Sequence, residues 1–306
     1  MIYNFLFHRV NPCRDRLWDP MDVALFDRCI SYIKNNFQIE LFENLSAHQS
    51  IPTREKIATI MFDDGYKDNI EFAADILKKH FCKASFYVVT DSIEKNTPTW
   101  THIIEHLFQK TKISNADFDF EILPENLKVK TLENNRLRIE YVKKLKPFLK
   151  TISHKNRNLI VNHIIEKYSD VALPKLMMNW ADLYQLKQDG HYIGSHSFSH
   201  AMLGTIENES EIETELNESA NMISKNLGHV PKTISYPVGS YNETVINLAK
   251  KTGYTMGLAV KQRIYNPLLD SLFEIPRIEL YNEPWFKTKL RITNRLEQIK
   301  SILKYK

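Results

Sequence analysis

Residues 57–65 read IATIMFDDG, and the fold turns on this stretch. A nearly continuous apolar run of strand length, without polar alternation, is the signature of a strand buried on both faces. It stops abruptly at Asp63-Asp64-Gly65. Downstream, from about Asp68, the residues Ile70, Ala73, Ala74, Ile76 and Leu77 recur at helical spacing, and 84–90 (ASFYVVT) form another strand. Upstream, 2–7 (IYNFLF) is a further apolar, β-prone run, ending at His8. Asp19-Pro20-Met21-Asp22 then opens a helical pattern with Val23, Phe26, Ile30 and Ile33 on one face. Strands alternating with helices predict parallel strands joined by helical crossovers, an α/β architecture.

The rhythm breaks over 93–178, where charged helical patterns such as RLRIEYVKKLKPFLK and NLIVNHIIEKY predict a helical insertion, either a wall or lid over a site or a plain solvated subdomain. It resumes with strand 191–195 (HYIGS), a helix over about 208–227, strand 233–236, a helix near 242–252, and strands 254–260 and 273–280. The segment 284–306 reads as a basic amphipathic helix carrying Lys287, Lys289, Arg291, Arg295, Lys300, Lys304 and Lys306. His8, Asp63, His196 and Pro237 each fall at or just after the C-terminal end of a predicted strand. In a parallel barrel that end is the rim where active sites are built.

The bulk numbers permit this and exclude other classes. The chain has 306 residues, 43% hydrophobic and 25% charged, enough for a large core, and its net charge of +4 is too mild for a nucleic-acid partner. Cys13, Cys29 and Cys82 form no framework and are expected to be reduced. MIYNFLFHRVNP lacks the basic and apolar regions of a signal peptide, and no apolar run reaches the ~20 residues of a membrane span, so the expectation is a cytoplasmic protein.

Adjacent residues of an extended chain point to opposite sides, so of Asp63 and Asp64 one can bind a metal while the other faces a neighbouring space. A turn with side-chain-to-backbone hydrogen bonds is the plain alternative. In GSHSFSH, His196 and His200 face one point if the segment is helical or tightly turned. Two histidines and one carboxylate leave coordination positions open, as in a catalytic zinc site; for the histidine pair alone, surface or core histidines are the competing explanation.

FDDG at 62–65, HSFSH at 196–200 and SYPVGSYN at 235–242 together resemble, in order and spacing, the first three motifs of the polysaccharide deacetylases (NodB homology domain, carbohydrate esterase family four). The resemblance covers about 1–95 and 178–280. It implies a distorted (β/α) barrel of about seven parallel strands, a single domain over 1–306, and metal-dependent removal of N-acetyl groups from a carbohydrate. By position it implies Asp63 as general base, Asp64, His196 and His200 as ligands of a divalent metal (zinc expected), and Val238 as donor of a backbone N–H to the oxyanion. Tyr236, Pro237, Tyr241 and Trp180, with Phe198, are expected to wall the sugar site, core packing being the plain alternative for aromatic residues near strand ends.

Two departures matter. The family's third motif usually carries an arginine two residues before its proline, where it orients the base; here Ser235 occupies that position, and Arg277 in IPRIEL is the candidate replacement. The usual late histidine that acts as general acid is missing, since no histidine follows His229. FHRVNP at 7–12 resembles the entry of the circularly permuted poly-N-acetylglucosamine deacetylases, which implies a permuted barrel with His8 as the acid. Three rival expectations remain: a non-catalytic sugar-binding protein on this scaffold; a zinc peptidase using His102, Glu105 and His106; and peripheral membrane contact through the basic C-terminal helix, which is compatible with a lipid- or nucleotide-linked sugar substrate.

Overall fold

The computed structural model describes residues 1–45 and 56–296. Seven parallel strands follow the expected order: β1 (Ile2–Phe7), β2 (Ile57–Phe62), β3 (Ser85–Val88), β4 (Tyr192–Ser195), β5 (Thr233–Ser235), β6 (Met256–Leu258) and β7 (Ile278–Glu279). Their spatial sequence is β7-β1-β2-β3-β4-β5-β6. A parallel bridge from Leu258 to Ile275, just ahead of β7, brings the two ends of this path together. The sheet is therefore a distorted (β/α) barrel. The distortion is visible between β2 and β3, which pair only at Met61–Ser85 and Phe62–Phe86. The N-terminal half of β2 pairs instead with the short strand Gln38–Ile39.

The observed strands, Met256–Leu258 and Ile278–Glu279, are shorter than the apolar patterns over 254–260 and 273–280 suggest, and Pro276 has no N–H to give the ladder in the second. Helix α1 (Val23–Asn36) starts where Asp22 accepts from the N–H groups of Ala24 and Leu25, a standard N-cap. It buries Phe26, Cys29, Ile30 and Ile33. Between sheet and helices the rings of Phe7, Phe62 and Phe86 stack at 5.5 and 4.9 Å, with Phe26 edge-on to Phe7 at 5.0 Å. This layer matters for the site. With Phe62 anchored outward, the strand's alternation turns Asp63 towards the barrel axis.

The segment between β3 and β4 builds its own core. Helices α2 (Trp100–Lys110), α3 (Asn135–Leu149) and α4 (His154–Lys167) enclose Ile104, Phe108, Val142, Leu145, Ile160 and Tyr168. It is not wholly helical, for Asn115–Asp117 and Val129–Thr131 form an antiparallel pair. Helix α5 (Trp180–Gln188) leads into β4, and α6 (Glu209–Leu227) and α7 (Glu243–Thr252) complete the later crossovers. Helix α8 (Trp285–Ile292) realises part of the basic C-terminal pattern. Arg291 pairs with Glu283 at 2.8 Å, Lys287 pairs with the same residue at 2.9 Å, and Lys289 lies over the Tyr32 ring. Lys300, Lys304 and Lys306 lie outside the described residues. Among the described residues no helix is long and apolar enough to cross a membrane.

Candidate active site

At the C-terminal end of β2 the Asp63 N–H still donates to the Phe7 carbonyl at 3.1 Å, so the ladder extends to Asp63. Asp64 then adopts φ 75° and Gly65 φ 88°. A Cβ on Gly65 would sit 2.9 Å from Ile93 Cδ1 and 3.1 Å from Val88 Cγ1, so only glycine fits this turn. The two carboxylates are thereby sent to different partners.

Asp64 faces the histidines. Its Oδ1 lies 3.3 Å from Nε2 of both His196 and His200. The i, i+4 spacing is realised as a turn, with positive φ at Ser197 and His200. Glu215 on α6 enforces that turn by accepting the N–H groups of Phe198 (3.1 Å) and Ser199 (2.9 Å) and the Ser199 hydroxyl. His200 N–H donates to Ser197 Oγ at 3.1 Å. Sequence reading missed Glu215. Its signal was a buried-face acid on an otherwise apolar helical stripe.

Asp63 faces cations of the barrel wall. Arg277, fully buried, donates from Nη1 to Asp63 Oδ1 at 2.8 Å, from Nη2 to Ser235 Oγ at 3.0 Å and from Nε to the Ala259 carbonyl at 3.2 Å. Ser235 Oγ in turn donates to Asp63 Oδ2 at 3.1 Å. Burial alone would raise the Asp63 carboxyl; Arg277 first, then His196, hold it below the ordinary carboxylate range. Burial also opposes charge on Asp64, but His196 and His200 hold its carboxyl well below the usual value. The histidines diverge. His196, facing both carboxylates, is raised despite burial, whereas burial lowers His200.

The donor set suits a cation. Asp64, His196 and His200 offer ligand atoms within 4.8 Å of one another, all buried. His196 Nδ1 lies 2.8 Å from the Ser235 carbonyl, which can only accept, so Nδ1 carries the proton. In the neutral ring Nε2 then presents its lone pair to a carboxylate oxygen at 3.3 Å. Two acceptors so placed call for a positive charge between them, and a carbonyl-oriented histidine is the usual supporting shell of a metal ligand.

A cleft of about 380 Å³ opens above these groups. His8, Val238 and Glu279 line it with Asp63, Asp64, His196 and His200; so do Trp18, Val260 and three residues of the inserted segment, Thr101, Lys146 and Lys150. His8 Nδ1 is 3.5 Å from Glu279 Oε1, and its ring meets Trp18 edge-on at 5.5 Å. Val238 has φ 57° in the turn after Pro237.

The sequence model of the family described as polysaccharide deacetylase matches residues 50–257. The chain belongs to the polysaccharide deacetylase family. It is 23% identical to YxkH of Bacillus subtilis (strain 168) over 207 residues, which are 68% of this chain and 46% of that protein, so it spans about half the length of this curated relative. The fold is similar to that of the Streptococcus pyogenes deacetylase PplD solved with acetate, with TM-score 0.62, 17% identity, and 92% and 93% of the two chains covered. It is similar also to IcaB from Ammonifex degensii, with TM-score 0.63, 12% identity, and 95% and 96% covered.

On this polysaccharide deacetylase scaffold, the expected sugar-contacting residues lie away from the cleft lining. Tyr236 is fully buried, stacked on Tyr241 at 4.7 Å and beneath Gly257, so it packs the wall outside the cleft. Pro237 is buried beside it. Tyr241 donates to Glu274 at 2.9 Å, and Trp180 donates to Glu94 at 2.7 Å; neither they nor Phe198 line the cleft. The peptidase pattern does not assemble either. His102 Nδ1 contacts the Tyr66 hydroxyl at 3.1 Å, Glu105 pairs with Lys146, and His106 Nε2 meets the Ala172 carbonyl at 3.1 Å. Burial lowers His102 to about 4.

Proposed function

We propose that this deacetylase-family chain is a metal-dependent hydrolase that removes N-acetyl groups from an N-acetylated sugar or polysaccharide, or from a lipid- or nucleotide-linked precursor of one. The observation that carries the proposal is the division of labour between adjacent carboxylates. Asp63 is held as a base by Arg277 and Ser235, and Asp64 is committed to two histidines. A divalent cation, zinc by the character of the nitrogen-rich donor set, would be held by Asp64, His196 and His200 and would supply Lewis-acid polarisation of the acetyl carbonyl and acidification of a water.

The chain's own groups supply the rest. Asp63 takes the proton of the attacking water, its carboxylate kept ionised by Arg277. The Val238 N–H, set by its left-handed turn, donates to the oxygen on which negative charge develops. His8 protonates the departing nitrogen, with Glu279 supporting the imidazolium that forms when His8 is charged. The insertion, through Thr101, Lys146 and Lys150, serves as one wall of the substrate cleft. The test is acetate release from free, nucleotide-linked and lipid-linked N-acetyl sugars, with metal-stripped protein reloaded with defined ions. Release that depends on metal and is abolished in Asp63→Asn supports the reading; no metal-dependent release from any of them overturns it.

A further inference from the structure

Helix α3 of the insertion delivers two lysines to the catalytic cleft, and they are not equivalent. Lys146 is neutralised by Glu105, itself buried on α2. Lys150, one turn further, is half-buried at the end of α3 and has no hydrogen bond or ion pair from its ammonium among the described residues. It lines the same cleft as Asp64, His200 and Glu279, and its charge is felt by Glu105, Glu279 and Asp64. Burial and the neighbouring Lys146 together push this ammonium below the ordinary lysine range. A lysine so enclosed normally has a partner.

The charge balance of the cleft identifies the missing partner. The carboxylates are Asp63, Asp64, Glu105 and Glu279. With a divalent cation at the Asp64 centre, they are already matched by Arg277, Lys146 and the two charges of the ion, before any charge on His8 beside Glu279 is counted. Lys150 is then left over as an uncompensated positive charge facing the substrate space. We propose that Lys150, on the cleft lining it shares with Thr101, forms an anion subsite, and that the N-acetylated sugar taken by this chain carries a phosphate group. Lysine binds phosphate as a point charge without demanding a fixed bidentate geometry, which suits a single ammonium at a cleft wall. This inference rests on the deacetylase reading above and names the class of its substrate.

The experiment separates the two ideas by measuring binding apart from turnover. Titration calorimetry on the zinc-loaded full chain would compare N-acetylglucosamine 1-phosphate with the neutral methyl glycoside of N-acetylglucosamine. The phosphorylated sugar should bind about tenfold tighter or better, the scale of one charge-assisted contact. Lys150→Gln and Lys150→Met, each checked for wild-type melting, should remove that advantage, and Lys150→Arg should keep most of it. Equal affinity for the two sugars in the wild type, or an advantage that survives Lys150→Gln, would overturn the subsite, the latter because the phosphate would then be bound elsewhere. A further gain with uridine diphosphate N-acetylglucosamine would assign the phosphate to a nucleotide carrier, and no further gain would assign it to a simple ester. Acetate release from the neutral sugar alone, with no phosphate preference in binding, would uphold the deacetylase and sink the subsite.

Discussion

Arg277→Met removes the guanidinium at nearly constant length and leaves Asp63 as a buried carboxylate beside an apolar side chain. Both partners are at most 2% exposed, so solvent cannot replace the lost charge. Breaking a buried pair by deleting one partner costs about 3–5 kcal/mol, a large fraction of the roughly 5–15 kcal/mol that holds a typical domain together. At about 2 °C per kcal/mol for a chain of this size, melting should fall by roughly 6–10 °C. The pH dependence has a definite sign. Arg277 depresses the Asp63 carboxyl against the effect of burial. The pair's contribution is therefore present above the ordinary carboxylate range and is lost as pH falls through the depressed value. The destabilisation caused by Arg277→Met should be largest near neutrality and shrink in acid. Without the guanidinium the base also protonates at higher pH, so the acid limb of kcat/KM should move upward. Adding Asp63→Asn to Arg277→Met should recover much of the lost stability, because the unpaired charge at position 63 is then gone, while activity stays absent. Thermal melts at several pH values, together with a pH–rate profile, read all of this. A variant within about 1 kcal/mol of wild type with an unmoved acid limb would refute the assignment of Arg277 as the partner that sets the base.

Other perturbations test neighbouring parts. His8→Ala should lower turnover about 10²–10⁴-fold with metal content unchanged by elemental analysis; near-normal turnover removes it from the chemistry. Zinc at 100 times its dissociation constant should stabilise the wild type by about 2.7 kcal/mol, whereas Asp64→Ala and His200→Ala should show little metal-induced rise in melting temperature; an undiminished rise would place the metal elsewhere. Glu215→Gln, which puts an NH₂ group among the N–H donors of the histidine turn, should weaken metal affinity about 10–100-fold; unchanged affinity in a chelator competition would mean the turn needs no carboxylate.

The barrel was legible because buried parallel strands leave unalternated apolar runs, and strands 2–7 and 57–62 appear with those bounds. Strand ends place Asp63, Asp64 and His196, whereas His200 is brought to Asp64 by the turn that Glu215 holds. The aromatic residues expected at the sugar wall lie outside this cleft for a physical reason. Period two along β5 sends Ser235 inward to Asp63 and Tyr236 outward to pack beside Tyr241, so aromatic character at a strand end marked the core. The residues that do close the cleft, Trp18, Lys146 and Lys150, come from a loop and from a segment with its own core. Their approach to the site depends on how that core docks, which no local periodicity encodes.

The two departures from the family pattern have one structural origin. Ser235, short and on β5, leaves room that Arg277 fills from the extended segment between the Leu258–Ile275 bridge and the β1–β7 pair. Two residues further, on the same face by strand alternation, stands Glu279, the partner of His8. One closing strand thus furnishes both the cation that keeps Asp63 ionised and the anion that supports a charged His8. A barrel rim makes such an exchange inexpensive in geometry, since neighbouring strand ends converge on one axis and a long side chain from one can occupy the space vacated on another. Ser235 and His8, the proposed acid, are accordingly linked through residues 277–279. A relative that keeps an arginine at the position of Ser235 would be under no comparable constraint at Arg277.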